Sequence, residues 1–188
     1  YFPPEDSHGR PGFPRVLQAL HVAWQENRKE IEKQATNIAQ SITRIHTIRA
    51  HSDTTHYIPD LIPLAVDHIR TRFDPTNGGL GNAPKFPPDH AIGLLLAHYR
   101  QTQDPDVLRI ITVTLGNMAR GGIHDHIGGG FHRYATDTRW RVPHFEKMLY
   151  NQALLAHNYL TAFQITQKNS YRIAAEGILS FVSREMTD

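Results

Sequence analysis

The sequence predicts an all-α protein assembled from helical hairpins, and three observations lead to that class. First, one stretch is written twice. Gly78-Gly79-Leu80, Pro84-Lys85-Phe86, Leu95-Leu96-Ala97-His98 and Thr102-Gln103 return as Gly129-Gly130-Phe131, Pro143-His144-Phe145, Leu154-Leu155-Ala156-His157 and Thr166-Gln167. Phe86 to Phe145 and His98 to His157 share one offset of 59 residues, and five extra residues precede the second Thr-Gln. A period of that length marks stacked supersecondary units. Second, apolar residues elsewhere recur at steps of three and four. Third, no segment alternates apolar and polar residues as a half-buried strand would.

The elements follow in order. Tyr1 to Pro14 is a Pro/Gly-rich loop. A helix starts near Pro14 and carries Val16, Leu17, Leu20, Ala23 and Trp24 on one side. A second helix has the narrow stripe Ile31, Ala35, Ile38, Ile42, Ile45, as expected of an exposed helix resting on a neighbour. His46 to Tyr57 is polar and aperiodic and reads as a linker. Five more helices come next. The first runs from Pro59 to Phe73 and ends at Asp74-Pro75 and the Asn77-Gly78-Gly79 turn. Pro88 to Gln101 follows. Asp104 then caps a helix with Pro105 at its first position, which ends at Gly121. A helix over 144–167 has a wide apolar face, as an inner helix covered on several sides would. The last helix is capped by Asn169-Ser170 and buries Tyr171, Ala174, Ala175 and Ile178, with Phe181 and Val182 expected at an open apolar edge. The glycine loops at Gly78 and Gly129 are expected at one end of the bundle.

Composition excludes several function classes. With 39% apolar residues over 188 positions the chain is ordinary globular protein, and no apolar run reaches the roughly 20 residues of a membrane span. A net charge of +2 without a Lys/Arg run does not suggest a nucleic-acid partner. The absence of cysteine removes disulfide and thiolate chemistry from these residues. No signal-peptide pattern opens the chain, and a cytoplasmic location is expected.

The second glycine loop, 121–146, carries most of the unusual chemistry. His124, Asp125, His126, His132, Arg133, Tyr134, Asp137, Arg139, Trp140 and Arg141 sit between Gly121-Gly122 and Pro143, and His144, Glu146 and Lys147 follow. Acids, bases and aromatics beside a glycine-rich loop suit a sugar or another small molecule. Cofactor-free epimerisation needs a proton-transferring pair, for which His132 and His144 are the candidates. Hydrolysis needs two carboxylates across the scissile bond, for which Glu146 pairs with Asp125 or Asp137. A phosphorylated substrate held by Arg133, Arg139 and Arg141 is a third reading. His124 and His126 with His132 or His144 lack cysteine and the helical i, i+4 spacing of common zinc sites, so no metal and no cofactor is expected.

The motifs Tyr1-Phe2-Pro3-Pro4-Glu5-Asp6, Gly9-Arg10-Pro11-Gly12-Phe13-Pro14, Ala83-Pro84-Lys85-Phe86-Pro87, Gly128-Gly129-Gly130-Phe131-His132-Arg133-Tyr134 and Val142-Pro143-His144-Phe145-Glu146-Lys147-Met148-Leu149-Tyr150 resemble a large thioredoxin-domain-containing family that includes a spermatogenesis-associated member. The resemblance covers nearly the whole chain. It departs from the family pattern at His126 and Ile127, and at Asn151, where an Asp is usual. It implies a thioredoxin-like domain followed by an (α/α)6 toroid similar to six-hairpin glycosidases and N-acylglucosamine 2-epimerases. On that basis residues 1–46 are the C-terminal helical tail of the thioredoxin-like α/β domain, 47–57 a linker, and 58–188 the first hairpins of an incomplete toroid. The chain would then be an internal fragment that needs the rest of its own chain to close. The expected function is a carbohydrate-active domain, hydrolase or epimerase. The alternative is a non-catalytic toroid that binds a ligand or partner beside a redox or chaperone-like thioredoxin domain. The expected catalytic residues are His132, His144 and Glu146. Lys85, Arg133, Tyr134, Trp140 and Tyr150 are expected to bind a sugar-like substrate in one cavity, with Trp140 at its rim.

Overall fold

The computed structural model describes residues 2–7, 9–46 and 61–187. The expected linker, 47–57, lies outside the described residues. The chain divides into two compact units, 1–57 and 58–188. All described elements are helices, and pairing between extended segments is limited to isolated bridges.

In the first unit, α1 (Phe13–Glu26) and α2 (Arg28–His46) form a hairpin joined at Asn27. Pro14 in the first turn is pre-set for helix. Asp6 fastens the preceding loop to it, accepting from the Gly12 N–H at 2.6 Å and from Arg15 at 2.7 Å. No residue of α1 is buried, and Leu17, Leu20 and Trp24 of its stripe are exposed.

The second unit holds α3 (Leu61–Arg72), α4 (Asp89–Thr102), α5 (Pro105–Arg120), α6 (Leu149–Thr166) and α7 (Asn169–Glu185). The repeat accounts for its plan. Gln103 and Gln167, the last residues of the two copies, both take left-handed backbone (φ 56°) and stop their helices, donating to the carbonyls of Tyr99 and Phe163. Each stop makes a tight turn, and the next helix packs back on the previous one. Asp104 caps α5 by accepting from the N–H groups of Asp106 and Val107. Asn169, expected as a cap, lies inside the first turn of α7 and accepts from Arg172 instead. The long connections, 73–88 and 121–148, hydrogen-bond to each other and therefore share one end of the bundle.

The core is apolar and continuous, from Leu95 of α4 through Ile111, Leu115 and Met118 of α5 to Tyr159 of α6 and Ile178 of α7. Helix α6 is the inner helix and packs against both α4 and α7. It buries eight residues against five for α7. Several of the eight are polar, and three of those tie a neighbour: Gln152 exchanges hydrogen bonds with both backbone groups of Phe131, Asn158 donates to the Asp89 carbonyl, and Asn151 donates to the Asp89 carboxylate. Phe181, expected at an exposed edge, is buried, because Lys147 lies over its ring at 4.0 Å and the Gly129–Gly130 backbone covers it. The exposed apolar residues of α7 are Ile173 and Leu179. Among the described residues no helix is long and apolar enough to cross a membrane.

Candidate functional site

The two glycine loops repeat atom by atom. Asp74 accepts from the N–H groups of Thr76 and Asn77, and Asp125 accepts from those of Ile127 and Gly128. Gly78-Gly79 and Gly129-Gly130 then turn the chain at φ between 73° and 78°, a region only glycine enters without strain. A lysine closes each loop at 2.7 Å: Lys85 on Asp74, Lys147 on Asp125. Each ammonium also lies over an aromatic ring, Lys85 over Trp140 and Lys147 over Phe181. These lysines hold both carboxyls well below the usual carboxylate range. For Asp125 the Lys147 contact is the largest cause, whereas for Asp74 burial opposes it and is outweighed by Lys85 and the Asn77 amide.

This arrangement corrects two expectations. Lys85 does not face a ligand: it is fully buried, with its ammonium shared between Asp74 and the Thr138 carbonyl. Trp140 is no rim residue either. It is fully buried, packs against Gly79, and donates its indole N–H to the Asn77 carbonyl at 2.8 Å. Both join the first loop to the second, and a group without exposed surface cannot touch a bound molecule.

A third correction concerns α6, expected to begin at His144. It begins at Leu149, because residues 143–146 pair with residues 133–135 instead of entering a helical turn. The His144 N–H donates to the Tyr134 carbonyl, and the Arg133 N–H donates to the Glu146 carbonyl. Backbone groups used in this ribbon are no longer free for a helical turn. Glu146 therefore does not cap α6.

The ribbon brings five of the expected site residues together. Arg133 donates to Glu146 Oε2 at 3.0 Å, and His144 Nδ1 lies 3.6 Å from the same oxygen. Tyr134 stacks on the His144 ring (4.8 Å between centroids, 14° between planes), and Phe86 lies against Tyr134 at 4.8 Å, tilted by 32°. Tyr150, from the first turn of α6, comes within hydrogen-bonding reach of Arg133. Glu146 first, and Tyr150 second, raise the guanidinium's proton affinity. This is an open, polar surface with an aromatic floor: Glu146 and Arg133 are about half exposed, and Phe145 projects beside them.

His132 is not part of that surface. Its ring is buried edge-on against Phe145, on the side of Lys147 and Asp125, and no hydrogen bond or ring contact joins it to His144. Burial, then the Lys147 charge, lowers its pKa, so the ring favours the neutral form. Its Nδ1 has no partner. The carboxylates expected opposite Glu146 are committed elsewhere: Asp125 to Lys147, and Asp137 to the N–H groups of Arg139, Arg141 and Val142. Among the described residues no three metal-ligating side chains cluster.

Reading the residues alone misses Asp89. It opens α4, is buried, and accepts from the Asn151 amide at 2.8 Å. Burial lifts its pKa to about 6 against the opposing effects of Asn151 and His90. One oxygen on each partner, Asp89 Oδ1 and Asn151 Oδ1, is left without a hydrogen bond. A proton on Asp89 would give this pair a second donor. An acid in the first turn of a helix is so ordinary that nothing in the pattern marks this one as buried.

No protein-family model matches the chain. The chain is 37% identical over 198 residues to spermatogenesis-associated protein 20 of Homo sapiens and 36% identical over 198 residues to that of Rattus norvegicus. It is 36% identical over 172 residues to an uncharacterized protein of Caenorhabditis elegans. The first two matches cover all of this chain and the third covers 89% of it. They cover only 24%, 24% and 23% of the relatives, so the chain spans about a quarter of their length. These similarities fit the family that the motifs resemble.

Proposed function

We propose that the Arg133–Tyr134–His144–Glu146–Tyr150 surface takes a sugar-like molecule and transfers a proton to or from it, at the loop end of an (α/α)6 toroid that follows a thioredoxin-like domain. One observation carries the reading: an imidazole stacked on Tyr134 has its Nδ1 3.6 Å from a carboxylate oxygen that Arg133 also holds. A base oriented through one ring nitrogen keeps the other for the reacting group. Arg133 holds the Glu146 carboxylate in place beside the His144 ring. Phe86 and Tyr134 offer an apolar floor for the C–H face of a sugar, and the Tyr150 hydroxyl and Arg133 offer hydrogen bonds to its oxygens. Lys85 and Trp140 act at one remove, by setting the loop.

A second reading, binding without turnover, is favoured by a specific observation. Asp125 and Asp137 are committed and His132 is turned away, so none of these three expected partners is a free acid or base beside His144. One experiment separates the two. Sugars that raise the melting temperature of the intact protein are incubated with it in D2O and followed by NMR for deuterium exchange, epimerisation or hydrolysis. The catalytic reading expects turnover that His144→Ala and Glu146→Gln abolish while the melting temperature stays within a few degrees of wild type. Binding without conversion selects the second reading. Binding that survives His144→Ala, Glu146→Gln and Arg133→Ala alike would remove this surface from both.

A further inference from the structure

We propose a second site, on the α5 side of the same loops, that binds the phosphoryl group of a small hydroxylated phosphate monoester. Arg120, Arg139 and Arg141 converge there with Thr76, Asn77 and Asn117 on a cavity of about 230 Å³. No acid lines it. Arg120 donates to the Asn117 side-chain carbonyl at 2.8 Å, and among the described residues none of the three guanidinium groups has an ion-pair partner. Asp137, the acid nearest in sequence to Arg139 and Arg141, spends its hydrogen bonds on backbone N–H groups and reaches Arg141 only through its charge, without an ion-pair contact.

The local fold explains how three like charges come to share a cavity. Trp140 points inward as the buried plug, so Arg139 and Arg141 on either side of it point outward together. Trp140 holds φ at 64°, a conformation strained for a residue with a side chain. Its backbone lies directly on the end of α5: a Cβ at Gly121 would meet the Trp140 carbonyl at 2.6 Å, and one at Gly122 would collide with the Arg141 carbonyl. The two glycines are therefore what let Arg139 and Arg141 approach Arg120. Three guanidinium groups around one concavity repel one another, and a dianion relieves that repulsion. Planar N–H forks match phosphoryl oxygens, so a phosphate fits this arrangement better than a single carboxylate does.

A larger groove of about 640 Å³ shares Thr76, Asn117 and Arg120 with the cavity and adds the Thr112 and Ser170 side chains, with His124, His126 and Lys168, again without an acid. It has room and hydroxyl groups for the rest of a phosphorylated molecule. This site shares no lining residue with the Glu146 surface, and its test does not depend on that reading.

Calorimetric titration of the intact protein with inorganic phosphate, glucose 6-phosphate and glucose tests it. Saturable binding of both phosphates and none of glucose at this site is expected, weakened at least about tenfold, or about 1.4 kcal/mol, by Arg139→Ala/Arg141→Ala. Arg139→Lys/Arg141→Lys, which keeps the charge and loses the fork, should fall between the two, and Arg133→Ala should leave phosphate binding unchanged. Absence of saturable phosphate binding to folded wild-type protein overturns the proposal. So does phosphate binding that the double alanine variant retains in full while circular dichroism shows it folded. Preference for a short single-stranded oligonucleotide over glucose 6-phosphate would also overturn it, by making the cavity part of a nucleic-acid surface.

Discussion

Asp89 shows how much one residue's chemistry depends on what covers it. Its folded pKa of about 6 stands above the ordinary 3.8, so between those values the folded protein holds a proton that the unfolded chain has released. The contribution to stability is therefore fully present below about 3.8 and is lost as pH rises through about 6, a difference of about 3 kcal/mol. Asp89→Asn removes the titration and completes the pairing with Asn151. Its unfolding free energy in denaturant should match wild type near pH 5 to within roughly 1–2 kcal/mol and exceed it above about pH 7. A variant no better than wild type at the higher pH would show that Asp89 is solvated and ionised in the native state.

At the level of elements, the loops at Asp74 and Asp125 are one device used twice, and the lysines that close them differ in burial. Lys85 has no exposed side-chain surface and Lys147 is 13% exposed, while their acids are 19% and 29% exposed. Removing one partner of a buried pair strands the other charge, at a cost of about 3–5 kcal/mol. Lys85→Met should reach that range in denaturant unfolding, and Lys147→Met should cost less because water reaches Asp125 more easily. If Lys85→Met instead left stability unchanged and weakened sugar binding, the lysine would be a ligand contact after all. The ribbon 133–146 belongs to this scale too. Pro143 looks like a helix start in the sequence, since proline is common there. Only the pairing with 133–135 shows that its neighbours do not enter a helical turn.

For the molecule as a whole, the second unit keeps a large apolar surface in view. Leu61 and Leu64 of α3, Leu149 and Leu160 of α6, and Ile173 and Leu179 of α7 are all exposed beside a fully buried core. Apolar area of that kind marks faces that other segments cover. Residues 58–188 prepared alone should bind a hydrophobic dye strongly and self-associate, and a protein as long as the relatives should do so much less. A soluble, monomeric 58–188 polypeptide with no dye binding would mean that these helices need no further partners.

Helix identity and order were legible without coordinates, because they rest on short-range rules. Apolar residues three and four apart, with proline and glycine stops, predicted the seven described helices, Asp104-Pro105 predicted the start of α5, and the paired Thr-Gln motifs predicted two equivalent turns. The repeat also predicted that both glycine loops share one end. Which polar side chains face outward was not legible, because that depends on residues far away in the chain. Lys85 and Trp140 look like ligand contacts until Asp74, Asn77 and Thr138 are seen around them. His132 and Arg133 are neighbours in sequence, yet one is buried and the other pairs with Glu146 at the surface. Asp89 and Asn151 stand 62 positions apart and meet only when α4 lies against α6. Local periodicity is set by the chain's own geometry, whereas the environment of a charge is set by whatever packs on it, and that is decided in three dimensions.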